Sequence, residues 1–453
     1  MTRGTPDSPQ SDGASRLAVV GGGMAGIAAA YHLRAAGYPV DLIESDGVLG
    51  GRLGVDRLGE RPIMMGGKNI GRSYTELRAF LAAMGAGDFE YFGVNTSRIV
   101  HGKLITFDST NNRLDLLRKI TKLGSPRDLV RLSWLLAKVR RDEGNRYLGS
   151  KAFTRIGSAH DHRPLTAYFG PDLVNNMFRA LTVRMNGAEP DEMYLGNLGV
   201  NLGIAGTFDQ LVGSIRPALD RLAEYVSVQL DSRVDSLLVG DGRVQGIEVS
   251  RNGEAPRPVA YAGVVLATPA YAAAEIAGSA LPELSRQLAR VRYFPAAVAV
   301  VEYDRPVFDT VVRAIAVDGG PCSNIGVYGV HDRNVVRYTF SGRDARPAPS
   351  AGQLSSWLDD AEGAVTELLG TGPLNRVNVR TRVWPAAYCA YLPFYGEFLT
   401  ELAGHVAATP GIELAGDYLM GAPLEACFRS GRLAAQRLLQ HVSAPSWMGA
   451  PAS

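Results

Sequence analysis

Short apolar runs alternate with alanine-rich stretches at the start of the chain. Residues 17–20 (Leu-Ala-Val-Val) are uniformly apolar, the pattern of a strand covered on both faces. Residues 25–36 are alanine-rich and predict a helix that stops at Gly37, because glycine readily takes the left-handed conformation that ends helices. Residues 39–43 predict a second strand. Together they make the β-α-β unit that a parallel sheet with a right-handed crossover requires. Further on, residues 211–225 predict a helix, and 226–230, 244–249 and 264–267 predict short strands, a meander with one returning core strand. A last strand over 412–415 runs into a helix over 424–442.

Two stretches of different character interrupt this pattern and predict a second domain. The fold class expected is α/β: a doubly wound nucleotide-binding domain from 16–96, 200–270 and 403–444, with an inserted α+β domain from 97–199 and 271–402. Residues 1–15 and from 445 onward read as tails. Within the insertion, 113–141 is helical and basic, with Arg113, Arg118, Lys119, Lys122, Arg127, Arg131, Lys138, Arg140 and Arg141 set among apolar residues and Trp134. That pattern describes either a solvated helical face over a core or a surface resting on a membrane.

Bulk properties narrow the picture by exclusion. At 453 residues the chain exceeds one compact core, in keeping with two domains. A formal net charge of +2 predicts neither nucleic-acid binding nor steering of acidic substrates. Three scattered cysteines, Cys322, Cys389 and Cys427, build neither a disulfide framework nor a zinc site, and the seven histidines show no ligand spacing, so no metal is expected. A reducing compartment, the cytoplasm, follows as the expectation. No uncharged apolar run reaches the roughly 20 residues that span a bilayer. The oligomeric state is left open.

The chemistry is concentrated in glycine turns. Gly21, Gly23 and Gly26 supply the G-x-G-x-x-G spacing directly after a strand, with Met24 and Ala25 opening the helix. The first glycine permits the turn, the second admits a pyrophosphate to the backbone, and the third lets helix and strand pack closely. Free N–H groups at the helix start favour the anion. Glu44 ends the next strand, where a carboxylate accepts the hydroxyl protons of an adenosine ribose. A second turn, Gly50-Gly51-Arg52, distinguishes FAD from a nicotinamide cofactor, because Arg52 adds a cation for phosphate. Gly66-Gly67-Lys68 offers flat backbone suited to a planar ring, followed by a cation. Near the other end, Gly416-Asp417 closes a strand, and Leu424-Glu425 opens a helix whose N-terminal N–H groups favour negative charge on a reduced flavin.

These motifs resemble the flavin amine oxidase superfamily, which includes protoporphyrinogen oxidases and carotenoid and squalene desaturases, and the resemblance covers nearly the whole chain. It implies a split FAD domain, adenine contact through the backbone of Val234, and phosphate or ribityl contact by Arg52, Gly416 and Asp417. The similarity continues through 206–211, 266–269, Trp384 and Gly431. Two departures stand out. The acid expected before Gly66 is replaced by Met64 or Met65. Where simple amine oxidases of the family hold the amine between two tyrosines, Pro423 takes the place of one, leaving Tyr391 as the other.

The expected reaction is removal of hydride from a C–H bond of a hydrophobic small molecule, forming C=C or C=N. Lys68 is the candidate flavin-facing polar residue, and Trp384 and Tyr391 are candidates for the substrate wall. Cys389 lies ahead of Pro393 and Gly396, which is similar to the covalent flavin link of monoamine oxidases but differently spaced; an inert buried thiol is the other reading. Two rival functions fit the same fold. One is a redox-neutral flavin isomerase, and the other is a non-catalytic prenyl-protein carrier, for which Glu44, Arg52 and Asp417 would serve no purpose.

Overall fold

Strands Leu17–Val20, Val40–Ile43 and Gly263–Leu266 are buried on both faces, so they need cover from two sides. They form the centre of a five-stranded parallel sheet ordered Ser227–Gln229, Val40–Ile43, Leu17–Val20, Gly263–Leu266, Ile412–Leu414. The computed structural model describes residues 16–93, 95–100, 103–108, 118–203 and 208–442. The two expected tails, Arg113, and residues 206–207 of the resemblance lie outside them.

Alternate side chains of the sheet enter two different cores. Leu17, Val19, Leu42 and Val265 pack with helices Met24–Ala35 and Leu424–Leu439. These helices approach closely at Gly431, where a Cβ would stand 2.0 Å from the carbonyl oxygen of Ala25. Ala18, Val20, Val264 and Leu266 face the opposite way, against the antiparallel strands Ser232–Gly240 and Arg243–Arg251. That second core also takes in helices Ala270–Ala277 and Pro282–Ala289, and Tyr391 to Leu402. The sequence division placed these segments in the inserted domain. The reason for the difference is local: only Ala267, Thr268 and Pro269 separate the core strand from the helix after it, too few to leave the sheet.

The predicted helix over 211–225 is shorter than expected, Arg216–Leu222. Leu211 instead ends strand Phe208–Leu211, which pairs with both Asn69–Gly71 and Phe89–Tyr91. Strand Ser232–Gly240 carries Val234, which the resemblance places on a short strand.

The insertion is built on a seven-stranded sheet ordered Arg376–Ala390, Arg292–Tyr303, Val335–Phe340, Cys322–Val327, Ala314–Ala316, Asn95–Val100, Lys103–Asp108. One face is apolar: Ala297, Ala299, Val301, Val336, Tyr338 and Phe340 lie under helix Ala351–Leu369, which contributes Leu354, Leu358 and Val365. The other face turns Val298 and Val300 toward Ile63 and Met65 of the first domain. Helix Pro126–Arg141 belongs to a separate helical core. It buries Leu132, Leu135 and Val139 and leaves Val130 70% and Trp134 53% exposed. No helix among the described residues is long and apolar enough to cross a membrane.

Candidate FAD site and active site

The first glycine turn is built by steric necessity. Gly21 has φ +102°, a conformation that disfavours side chains, and a Cβ on Gly26 would lie 1.8 Å from the carbonyl oxygen of Gly21. Gly23 is different. Its φ is −75°, and a Cβ there would meet no atom within 4 Å. Packing therefore does not exclude a side chain at Gly23, and the open space lies at the start of helix Met24–Ala35, where free N–H groups favour an anion. Met24 and Ala25 are buried in the first turn of that helix. Glu44 accepts hydrogen bonds from the N–H of Gly22 at 2.6 Å and of Asp46 at 2.8 Å, which seats its carboxylate at the edge of the turn. The second turn docks on the first. Gly50 N–H donates to Gly22 O at 2.8 Å, and Gly51 (φ +50°) brings its Cβ position within 3.4 Å of Gly23 Cα.

The far end of the chain closes on this cradle. Arg52 forms an ion pair with Asp417 at 2.6 Å across 365 residues, and also donates to Ala387 O at 3.0 Å. Asp417 is additionally held by the Tyr293 hydroxyl at 3.1 Å. Burial is the largest single influence on Arg52, and it opposes the charge. The attraction and hydrogen bond of Asp417, with smaller help from Tyr293 and Cys427, together outweigh it, so the guanidinium stays firmly protonated. Gly416, with φ +155°, donates its N–H to Ser430 Oγ at 3.0 Å. Between the two ends sits Thr268: its N–H neighbours the Gly21 Cβ position at 3.1 Å, its carbonyl the Gly416 Cβ position at 3.7 Å, and its buried hydroxyl has no partner among the described residues. A dinucleotide fits this arrangement, which offers the open Gly23 position, helix N–H groups, a guanidinium, a carboxylate and an unused hydroxyl.

Farther along the cradle is the Gly66-Gly67 turn. A Cβ on Gly66 would clash with Arg52 O at 1.8 Å, whereas Gly67 is exposed, with Leu424 nearest its Cβ position at 3.3 Å. The exposed backbone of Gly67 thus faces the start of helix Leu424–Leu439. The carboxylate of Glu425 is turned away. It accepts from Glu76 N at 3.1 Å and Leu77 N at 3.0 Å, capping helix Thr75–Ala83 and leaving only its backbone for a cofactor. Met64 N–H donates to the Tyr328 hydroxyl at 2.7 Å, so the neighbour of the missing acid is held by a phenol.

Lys68 is buried. Its ammonium donates to Gln210 Oε1 at 3.1 Å and to the Tyr328 carbonyl, and lies over the Phe92 and Tyr328 rings at 4.5 and 4.8 Å. Burial, with Arg337 adding to it, pulls this amine well below its ordinary range. Trp384 covers Gly54, whose Cβ position is 2.9 Å from the indole, and packs beside Met65. Tyr391 is buried and its hydroxyl accepts from Ala422 N at 2.8 Å, supporting the loop that leads into helix Leu424–Leu439. Val234 sits in strand Ser232–Gly240 where the ladder shifts register between Val234 and Ser236. Cys389 is fully buried, with Tyr395 Oη 3.8 Å from its sulfur, and burial raises its thiol well above the usual range.

Several residues beside these motifs carried no local signal strong enough to be singled out: Tyr293, Arg184, Arg337 and Tyr388. Arg337 donates to Gly66 O at 2.6 Å. Its one trace in the sequence is a charge within the apolar run of Val335–Phe340.

The family model of flavin containing amine oxidoreductase matches residues 24–439, and the chain belongs to that family of FAD-dependent oxidoreductases. No curated protein sequence matches it. Among solved structures it is similar to a protein assigned as a protoporphyrinogen oxidase from Exiguobacterium sp. 255-15, with 19% identity, 94% of this chain and 98% of that chain covered, and a TM-score of 0.70. It is similar to putrescine oxidase bound to putrescine (16% identity, 94% and 99% covered, TM-score 0.70). Cyclohexylamine oxidase from Brevibacterium oxydans IH-35A matches at 16% identity, with 94% and 99% covered and a TM-score of 0.70. Identities this low speak to the fold.

Proposed function

We propose that this enzyme oxidises a hydrophobic small molecule larger than a simple alkylamine, taking hydride from a C–H bond to leave C=C or C=N. The observation that supports this most is the state of the position where an aromatic amine cage would stand. Pro423 caps the C-terminal helix there, and the hydroxyl of Tyr391 is committed to Ala422 N. Bound FAD supplies the two-electron acceptor. Gly23, Glu44, Arg52, Thr268 and Asp417 are the residues suited to hold it. Helix Leu424–Leu439 begins beside Gly67 and favours negative charge there by about 0.3–1 kcal/mol. Trp384, backed by the packed apolar cluster of Val298, Val300 and Met65, offers an aromatic wall that excludes water and positions an apolar scaffold.

The test is anaerobic mixing of the holoprotein with polyenes, porphyrinogens and alkylamines. The proposal expects flavin bleaching with a polyene or porphyrinogen and none with small alkylamines. Conversion of a compound while the flavin stays oxidised would replace it with isomerisation.

A further inference from the structure

The arginines of this protein are mostly spoken for. Arg52, Arg98, Arg179, Arg346 and Arg429, all half-buried or deeper, each meet a carboxylate. Arg184 and Arg337 do not. Both are half-buried, and neither has an ion-pair partner among the described residues. What surrounds them is the opposite of what their charge asks for: burial works against both, Arg184 feels the positive charge of Arg337, and the phenol of Tyr388 is near enough to both to feel their charge. The charge of Arg337 also reaches Lys68 and depresses its amine, an effect that Asp332 and Glu90 oppose.

The fold explains why these groups converge. In the seven-stranded sheet, Arg337 stands opposite Val300 on one side and Gly326 on the other, so it shares the face that Val300 turns toward the first domain, and its guanidinium reaches Gly66 O. Arg184 comes from helix Arg179–Asn186. Directly after that helix, the Gly187 Cβ position lies 2.9 Å from the Tyr388 ring, so the helix end is pressed against the same strand that carries Trp384. Among the described residues, the one hydrogen bond of the Arg184 side chain is a long one, 3.5 Å, to Thr96 Oγ1. Two guanidiniums kept out of bulk water without a counter-ion repel each other and lose hydration. An anion supplied by a ligand relieves both costs, and a carboxylate suits the planar fork of arginine.

We propose that the substrate is an organic acid, its carboxylate held by Arg184 and Arg337 with Tyr388 while its apolar part lies against Trp384. This deepens the oxidase reading and rests on it.

The test is calorimetric titration of the FAD-loaded protein with three matched probes, benzoate, benzylamine and benzyl alcohol. Visible flavin absorbance is recorded on every sample, so that failure of FAD binding, which would sink the parent reading, is seen separately. Benzoate is expected to bind about tenfold or more tighter than the other two, as one charge-assisted hydrogen bond implies. Arg184→Met is expected to remove that preference with FAD content unchanged; Arg184 does not touch the Gly66 turn, so this variant stands even if Arg337→Met disturbs the cofactor. Equal binding of the three probes, preference for benzylamine, no benzoate heat at all, or a benzoate preference that survives Arg184→Met would each overturn the proposal. So would an Arg184→Met protein that keeps its benzoate affinity and shows only a changed flavin reduction potential, because the arginines would then serve the cofactor alone.

Discussion

Gly23 and Gly26 stand three residues apart in one turn, yet the structure gives their alanine variants opposite phenotypes. At Gly23 the backbone has φ −75° and ψ 179°, open to any residue, and the added methyl would meet nothing within 4 Å. Gly23→Ala is therefore expected to leave the FAD-free protein as stable as wild type, or more stable by about 0.4–1 kcal/mol through the lost freedom of the unfolded chain. The same methyl occupies the approach to the helix N-terminus, the proposed place of the pyrophosphate. Loss of one charge-assisted hydrogen bond there, about 1.5–3 kcal/mol, weakens FAD binding about ten- to hundredfold. At Gly26 the methyl would stand 1.8 Å from Gly21 O, so helix and strand must separate by roughly an ångström, at a cost of about 1–3 kcal/mol in the FAD-free protein. The assay is thermal unfolding of both variants without FAD, followed by fluorescence titration with FAD. Wild-type FAD affinity in Gly23→Ala, or equal destabilisation by the two substitutions, would refute the reasoning.

Two further outcomes follow from buried groups. Acid precipitation of the holoprotein should leave a colourless pellet under a yellow supernatant, because Cys389 is sealed from the cradle with a thiol that resists ionisation; a yellow pellet would show a covalent link. Lys68 has a folded-state pKa lowered from 10.5, so the cost of burying its charge is fully present below that lowered value and is relieved as pH rises through it toward 10.5. Lys68→Met should therefore gain most in unfolding temperature over wild type at the acid end of this window. The gain should shrink as pH approaches 10.5, and a pH-independent difference would contradict it.

Much of the nucleotide cradle was legible in the sequence because its constraints are local. A glycine forced to φ +102° and another pressed on a carbonyl announce themselves as fixed spacings, and Glu44 follows from the strand that carries it. The resemblance implies that Arg52 and Asp417 each touch phosphate or ribityl groups, but not that they pair with each other across 365 residues. The apolar spacing of 211–225 suits a longer helix than the chain forms, because the pairing of Leu211 with Phe89 depends on a distant strand. Arg184 and Arg337 were invisible for a related reason. One sits on a helix and the other on a central strand, and only sheet register and the packing of Gly187 on Tyr388 bring them together. Glu425 was read for its position at a helix start; that its carboxylate caps another helix, Thr75–Ala83, is a tertiary fact.

The account stands or falls on where the dinucleotide lies, and a crystal structure of the FAD-loaded protein measures that directly. It should show the pyrophosphate against Gly23, flanked by Arg52 and Asp417, with the adenosine ribose on Glu44 and the ring against Gly67. A flavin bound elsewhere, or an Arg52–Asp417 pair with no cofactor atom beside it, would contradict it.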